Sequence, residues 1–256
     1  MMKFKSGIFF CFLFVNTVFA EISSVDEAEK LITQYSKQIK DERDNANLYL
    51  LRGDLYFKVR NFENAVDDYT TAIELDSKLD KAWYGRGMAN GRMGYIKTGI
   101  EDLGVYIKRN PLDSVAYTKR GVRYLWIGDK DNAQKDLLKA IELNKNNAEA
   151  HDDLGVVYAQ KGDYKKAIEH FTKTVTIDPS YQKGHHNLAM SLYITENDLA
   201  ALLSVNKSLE LKQTRNSMLL KSKILQTLGR TAEASRLEED AMFIPEGNWS
   251  ERAPVK

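Results

Sequence analysis

Small, ring-bearing and large apolar residues recur along this chain with a period of 34 residues. One column of small residues begins at Gly53 and continues through Gly87, Gly121, Gly155 and Ala189. Four more columns share the spacing: a ring column (Tyr49, Trp83, Tyr117, His151, His185), a mainly aromatic column (Tyr56, Asn90, Tyr124, Tyr158, Leu192), a second small column (Ala65, Gly99, Ala133, Ala167, Ala201) and a large column (Tyr69, Leu103, Leu137, Phe171, Val205). Five columns in one register predict an array of equal structural units.

Each unit is predicted to contain two antiparallel helices, A and B. Two helix axes approach closely only where side chains are small, so the Gly and Ala columns mark the crossing and the large columns interlock around it. Gly94, Gly128 and Gly162 predict the turns from A to B, and Pro111 and Pro179 precede new A helices. A single pair leaves an apolar face uncovered, so the units must stack to be stable.

These columns resemble the tetratricopeptide-repeat family from residue 46 to about residue 242. The resemblance implies an all-α fold, a right-handed α-solenoid of about six helical hairpins. The hairpins would occupy residues 46–79, 80–113, 114–147, 148–181, 182–214 and 215–242. The sixth fits when the loop before it is one residue shorter, which places Ser222, Leu225, Gly229, Ala234 and Ala241 in the expected columns.

Two segments flank the predicted array. Residues 21–45 contain a capping box from Ser24 to Glu27, followed by apolar residues at helical spacing. They predict an N-terminal capping helix that covers the first hairpin. Residues 243–256 contain Pro245 and Gly247, which interrupt helices, so a non-helical C-terminal tail carrying Trp249 is expected.

Residues 1–20 have the pattern of a secretory signal peptide. Lys3 and Lys5 precede an apolar run, and cleavage is expected after Ala20. The run is shorter than the roughly 20 residues that cross a bilayer, so the mature chain is expected to have no integral membrane span. We therefore predict an exported protein, periplasmic in a bacterium and otherwise secreted.

Charge and cysteine content exclude several classes of function. The chain has 37 Lys and Arg against 36 Asp and Glu, and loss of Lys3 and Lys5 leaves 35 against 36, a net charge of −1. Such a balance provides no basic surface for nucleic acid. Cys11 is the single cysteine and lies in the leader, so the mature chain has no thiol for a disulfide, a metal site or a nucleophile.

The histidines form no recognisable metal or catalytic motif. His185 and His186 are neighbours on a predicted helix, so their side chains diverge by about 100°. His151 and His185 belong to the ring column, and His170 is interpreted as a surface residue. The sequence contains no zinc-protease, phosphate-loop, nucleophile-elbow or dinucleotide motif. We therefore predict no enzymatic activity, no cofactor and no metal.

The family resemblance implies that the A helices line a concave groove that holds a protein or peptide. Carried over by position, the candidate partner-binding residues are Tyr84, Met88, Arg92, Val122, Trp126, Asp152, His186, Met190 and Tyr193. Aromatic and methionine side chains often contribute most of the binding energy of an interface. Arg92, Lys58 and Asp152 are expected to orient the partner at the rim.

One known use of this groove in the family is a carboxylate clamp for chaperone tails, built from Lys, Asn and Arg side chains. The matching register supplies Asp152 and Val156, then Asn187, then Asn216 and Leu220. The basic residues of the clamp are missing, so a chaperone tail is not the expected ligand.

We therefore predict a non-catalytic, protein-binding adaptor or scaffold of the cell envelope that holds a partner segment in the concave groove. The alternative is a structural or assembly component. Such a protein would self-associate into a homo-oligomer, or dock to an envelope complex through its convex face or C-terminal tail.

The second predicted hairpin is rich in glycine, at Gly85, Gly87, Gly91, Gly94, Gly99 and Gly104. A glycine inside a helix costs about 1 kcal/mol relative to alanine. We interpret these glycines as space for Tyr106, which stands where neighbouring units have Ala72 and Ala140. Local plasticity used in ligand binding is the alternative.

Overall fold

The computed structural model describes residues 25–245, and this part of the chain is all-α. Its helices are, in chain order, α1 (Val25–Asp41), α2 (Ala46–Lys58), α3 (Phe62–Leu75), α4 (Asp80–Met93), α5 (Ile96–Arg109), α6 (Ser114–Trp126), α7 (Lys130–Leu143), α8 (Ala148–Gln160), α9 (Tyr164–Ile177), α10 (Gln182–Ile194), α11 (Asp198–Leu211), α12 (Arg215–Thr227) and α13 (Thr231–Met242). The predicted all-α repeat fold of the solenoid class is confirmed. The predicted signal peptide (1–20) and the tail with Trp249 lie outside the described residues.

Polar caps and glycine turns set the helix boundaries. Asp129 accepts a hydrogen bond from the backbone N–H of Asn132 at the start of α7, and Asp163 accepts one from Lys166 at the start of α9. Hydrogen bonds at these caps hold the pKa of both carboxyls below the usual range. Gly128 and Gly162 precede these caps with φ of 78° and 82°, a left-handed conformation that favours glycine.

The chain forms two compact units, one ending at Ala89 and the other beginning at Asn90. In the first unit, Ala28 of α1 packs with Leu55 of α2. The larger core of this unit surrounds Tyr69 of α3, whose ring is almost fully buried. Gly85 of α4 leaves room for this ring, since a Cβ at that position would lie 2.5 Å from the Tyr69 Cζ.

In the second unit, each helical hairpin packs against the next. Helices α6 to α13 contact one another in sequence order, and the A helices α6, α8, α10 and α12 also contact one another in a row. Three buried clusters lie between these layers, around Leu137, Phe171 and Val205. All three residues belong to the large column of the sequence, which explains why that column recurs.

The glycine column allows each A helix to approach the large residue of its own B helix. A Cβ at Gly155 would lie 2.6 Å from the Phe171 ring, and one at Gly121 would lie 2.9 Å from Leu137. Gly91 makes space for the guanidinium of Arg123, because a Cβ at Gly91 would lie 2.6 Å from Nε and Nη2 of Arg123. The glycines at 85 and 91 therefore accommodate Tyr69 and Arg123, not Tyr106 as the sequence suggested.

A charged pair between the helices of a hairpin is a repeating feature that the five columns omit. Arg52 donates to both carboxylate oxygens of Asp68, at 2.8 and 2.7 Å, and Arg120 does the same to Asp136 at 2.6 and 2.8 Å. Each guanidinium also lies over ring residues of its own A helix, Tyr49 and Tyr56 or Tyr117 and Tyr124. Bidentate pairs of this kind fix the two helices in register.

Candidate functional site

The candidate site is the surface of the row α6, α8, α10 and α12 in the second unit, which we call the wall. Polar side chains link neighbouring helices of the wall. Lys119 of α6 donates to both oxygens of Glu149 on α8, at 2.6 and 2.7 Å. His186 of α10 lies 2.9 Å from the Ser217 Oγ on α12, measured from Nδ1. These links fix the spacing of the helices that would face a ligand.

The structure divides the predicted partner-binding residues between the two units. Tyr84 and Met88 lie half-buried in the first unit. The second unit contains the other seven: Arg92, Val122, Trp126, Asp152, His186, Met190 and Tyr193. Of these, Met190 is exposed, Asp152 is buried, and the other five are half-buried. All seven except Arg92 belong to helices of the wall, so the wall brings together apolar and polar candidates from three helices.

Asp152 does not lie at a rim, because its side chain is fully buried. Its Oδ1 accepts a hydrogen bond of 2.8 Å from the Asn187 amide, and its Oδ2 forms a 3.0 Å ion pair with the Lys183 ammonium. Both partners come from α10. Asp152 therefore joins α8 to α10 through Lys183 and Asn187.

The next residue, Asp153, was missed by sequence reasoning. Its side chain is buried, its Oδ1 lies 3.6 Å from the Lys183 ammonium, and its Oδ2 has no hydrogen-bond partner. Burial raises the pKa of this carboxyl to about 7, although Lys183 opposes the shift. Burial would lower the pKa of Lys183, but Asp153 and Asp152 outweigh it and raise that pKa. The sequence contains one signal for the contact between Asp153 and Lys183. These two residues are 30 positions apart, which is also the separation of Lys119 and Glu149, the ion pair between two neighbouring A helices.

A neutral polar cluster continues the wall toward α12. The Gln182 amide donates to the Ser208 Oγ at 2.7 Å, and Ser208 and Ser217 share a 3.1 Å hydrogen bond. Burial lowers the pKa of His186, which faces Ser217. The wall thus changes from charged groups at α8 to neutral hydrogen-bonding groups at α12.

His170 is not a surface residue, contrary to the interpretation from sequence. Its ring is half-buried, stacks on Tyr158, and places Nδ1 3.0 Å from Nδ1 of His151. His151 Nε2 lies 3.3 Å from the Lys145 carbonyl, which can only accept, so this nitrogen carries a proton. In the neutral pair His170 Nδ1 is therefore the donor and His151 Nδ1 the acceptor. His170 comes one 34-residue period after Asp136, and the buried Leu154 comes one period after Arg120. This hairpin therefore has leucine and histidine at the two positions where the preceding hairpin has its Arg–Asp pair.

This histidine pair predicts an acid-sensitive fourth hairpin. Burial and then His151 lower the pKa of His170 from 6.5 to about 4. Because the fold favours the neutral ring, its contribution to stability is complete above pH 6.5 and is lost as the pH falls toward 4. We expect the free energy of unfolding to fall by about 1 kcal/mol more in the wild type than in His170→Gln between pH 7 and pH 4.5, a value reduced for partial exposure.

Denaturant titrations of both proteins at the two pH values measure this difference. Gln keeps an N–H donor for His151 but does not titrate, so the two proteins should differ mainly in their pH dependence. Equal losses of stability in both proteins would contradict the assignment.

Among residues 25–245, no group of three or more His, Cys, Asp or Glu side chains is placed to hold a metal ion. In the same range no helix has the length and apolar character needed to cross a membrane.

Comparison with known proteins agrees with the hairpin array. A family model described as tetratricopeptide repeat matches residues 148–181, and a second with the same description matches 46–79 and 115–147. The chain is 26% identical over 128 residues to Hsp70-Hsp90 organizing protein 2 of Arabidopsis thaliana, covering 49% of this chain and 21% of that one. The match thus spans about a fifth of this relative.

Two solved structures share the fold. YrrB, described as a TPR protein with an unusual peptide-binding site, superposes with a TM-score of 0.57 and 24% identity, covering 70% of this chain and 92% of that one. A tetratricopeptide repeat protein from Parabacteroides merdae ATCC 43184 gives a TM-score of 0.71 and 17% identity, with 93% and 94% coverage.

The stacked hairpins and their glycine crossings define an α-helical repeat protein. The repeat models identify residues 46–79, 115–147 and 148–181 as tetratricopeptide repeats, and the fold is that of tetratricopeptide-repeat proteins. Proteins of this family act as protein-binding adaptors and are generally not catalytic.

Proposed function

We propose that this chain is an exported, non-catalytic adaptor that holds an extended or helical segment of a partner protein against the wall. The observation that carries the proposal is the row of four contacting A helices. This row presents Val122 and Trp126 on α6 and Met190 and Tyr193 on α10, none of them fully buried. Large apolar and aromatic side chains that remain accessible in a row are suited to anchor a bound segment.

The kind of ligand follows from the wall and the family. YrrB, whose fold is similar, is described as having a peptide-binding site. The organizing protein of Arabidopsis is named for two chaperones, but this chain lacks the basic residues of the chaperone-tail clamp, and at Asp152 it has a buried acid. An internal segment of a protein is therefore the proposed ligand.

Export is supported by the leader pattern of residues 1–20. Sequencing the N-terminus of the protein recovered from its native source tests this part of the proposal. A mature chain that begins at Glu21 is expected, and a chain that retains residues 1–20 in the cytosol would contradict export.

Peptide selection tests binding at the wall. Dodecapeptides selected by display on residues 21–256 would be measured by fluorescence anisotropy against the wild type, Trp126→Ala and Met190→Ala. We expect each substitution to weaken binding about tenfold or more, since truncation of a central apolar anchor costs about 2 kcal/mol. Met190 is 39% exposed, so its replacement should leave the stability nearly unchanged.

Leu138→Ala provides a matched control. Leu138 is 45% exposed on α7, a B helix outside the wall, and should not affect binding. Equal affinities for wild type and both wall variants would contradict the proposal. A dimer in light scattering, together with a selection that returns no peptide, would instead favour the self-associating alternative.

A further inference from the structure

We propose that Asp152 and Asp153 form a recognition site for an arginine side chain of the bound segment, and that Lys183 is an internal counter-ion which this arginine displaces. This inference rests on the function proposed above and specifies the chemistry of the partner. The site lies entirely in the second unit, where α8 faces α10 within the wall.

The first argument is the distribution of charge. Lys119 is paired with Glu149, whereas the Lys183 ammonium serves both Asp152 and Asp153. Asn187 donates a hydrogen bond to Oδ1 of Asp152 but carries no charge. When both acids are ionised, one ammonium facing two buried carboxylates leaves a negative charge that a second cationic group can compensate.

The second argument is a missing donor. The Asp153 side chain is more than nine-tenths buried, and its Oδ2 has no hydrogen-bond partner. Lys183 does not supply a donor, since its ammonium is 3.6 Å from Oδ1 of Asp153, beyond hydrogen-bond distance. A buried carboxylate oxygen without a donor is unfavourable, so a ligand that donates to it gains affinity.

The third argument concerns which cation fits. The Lys183 side chain is 56% exposed, so it reaches the two acids from the surface of the wall and can swing into solvent. Its ammonium marks the position that a ligand cation would take, 3.0 Å from Oδ2 of Asp152. A guanidinium has five N–H donors in a planar fork and can donate to both carboxylates at once. Arginine therefore fits this position better than lysine.

Asp153 also makes binding dependent on pH. Its carboxyl has a pKa of about 7, set mainly by burial, so a guanidinium must bind the ionised form and displace the proton. The charged groups that influence its pKa are Lys119 from α6, Glu149 and Asp152 from α8, and Lys183 from α10. Affinity for an arginine peptide should therefore rise as the pH increases from 6 to 8.

The test compares one selected peptide that contains arginine with the same peptide carrying citrulline, which keeps the shape but removes the charge. The protein variants are Asp153→Asn and Lys183→Gln, each checked for folding by circular dichroism. We expect citrulline to weaken binding to the wild type about tenfold or more, and Asp153→Asn to abolish most of this difference. Lys183→Gln, which removes the competing cation, should bind the arginine peptide at least about threefold more tightly at pH 8, and its pH dependence should shift upward because Lys183 no longer lowers the pKa of Asp153. The pH dependence between 6 and 8 should be lost in Asp153→Asn.

The outcomes separate this inference from the proposed function. The arginine site would be overturned, and the wall left in place, by either of two results. The first is a set of selected peptides that depend on Met190 but show no preference for arginine. The second is an equal loss of affinity, in wild type and in Asp153→Asn, when citrulline replaces the arginine of the peptide. Equal enrichment of lysine would overturn the choice of guanidinium. Peptides unaffected by both Trp126→Ala and Met190→Ala, or no peptides at all, would remove both proposals.

Discussion

Gly155→Ala is expected to destabilise the fourth hairpin by about 1–3 kcal/mol, although alanine usually stabilises a helix. A Cβ at this position would lie 2.6–2.9 Å from three atoms of the Phe171 ring, which is 2% exposed. A buried ring cannot move aside without disturbing its other contacts, so either α8 or the ring must shift. Denaturant titration measures the change in the free energy of unfolding.

Gly104→Ala is the matched control, because Gly104 is also inside a helix but its Cβ would meet only the Arg120 Nη1, at 3.6 Å. This replacement should be neutral or stabilise by up to about 1 kcal/mol. In a Phe171→Leu background the cost of Gly155→Ala should shrink, since the obstructing ring is absent. If Gly155→Ala and Gly104→Ala change the free energy of unfolding by the same amount and in the same direction, the steric explanation is refuted.

Asp136→Asn is expected to cost about 3 kcal/mol of unfolding free energy, because it breaks a buried pair and leaves the Arg120 guanidinium without its counter-charge. The Arg120 and Asp136 side chains are 19% and 6% exposed, and two hydrogen bonds join them. Asparagine has nearly the same shape, so the loss reports charge and hydrogen bonding, not packing. The effect is read from denaturant midpoints at constant salt.

Two further variants test this assignment. In an Arg120→Met background, Asp136→Asn should cost much less, because the carboxylate no longer has a cationic partner. Glu233→Gln breaks the exposed pair between Arg230 and Glu233 and should produce no measurable change. A loss from Asp136→Asn that is independent of residue 120 would show that the aspartate acts through other contacts.

Much of the fold could be predicted from the sequence because its packing rules repeat. Gly121 and Gly155 recur at 34 residues because each A helix must approach Leu137 or Phe171 of its own B helix. The charged column was equally visible: Arg52, Arg86 and Arg120 share the period, as do Asp68, Asp102 and Asp136. It was overlooked because charged residues at helical spacing are usually solvent-exposed, whereas two of these pairs are largely buried.

The site was less predictable because position in a repeat does not determine what a side chain contacts. Asp152 has the register of a groove residue, yet it is buried by groups that arrive from α10, 31 and 35 residues later. His170 looks like a surface position on α9, but its environment depends on His151 and Tyr158 of α8. Such contacts between helices require coordinates, since no pattern within one helix contains them.

The row of four A helices also limits what the wall can hold. Packed helices lie about 8–10 Å apart, so α6, α8, α10 and α12 together span about 24–30 Å across their axes. An extended chain advances about 3.3 Å per residue, which corresponds to a bound stretch of about seven to nine residues. A footprint of that size can be supplied by a single linear epitope, without a folded domain around it.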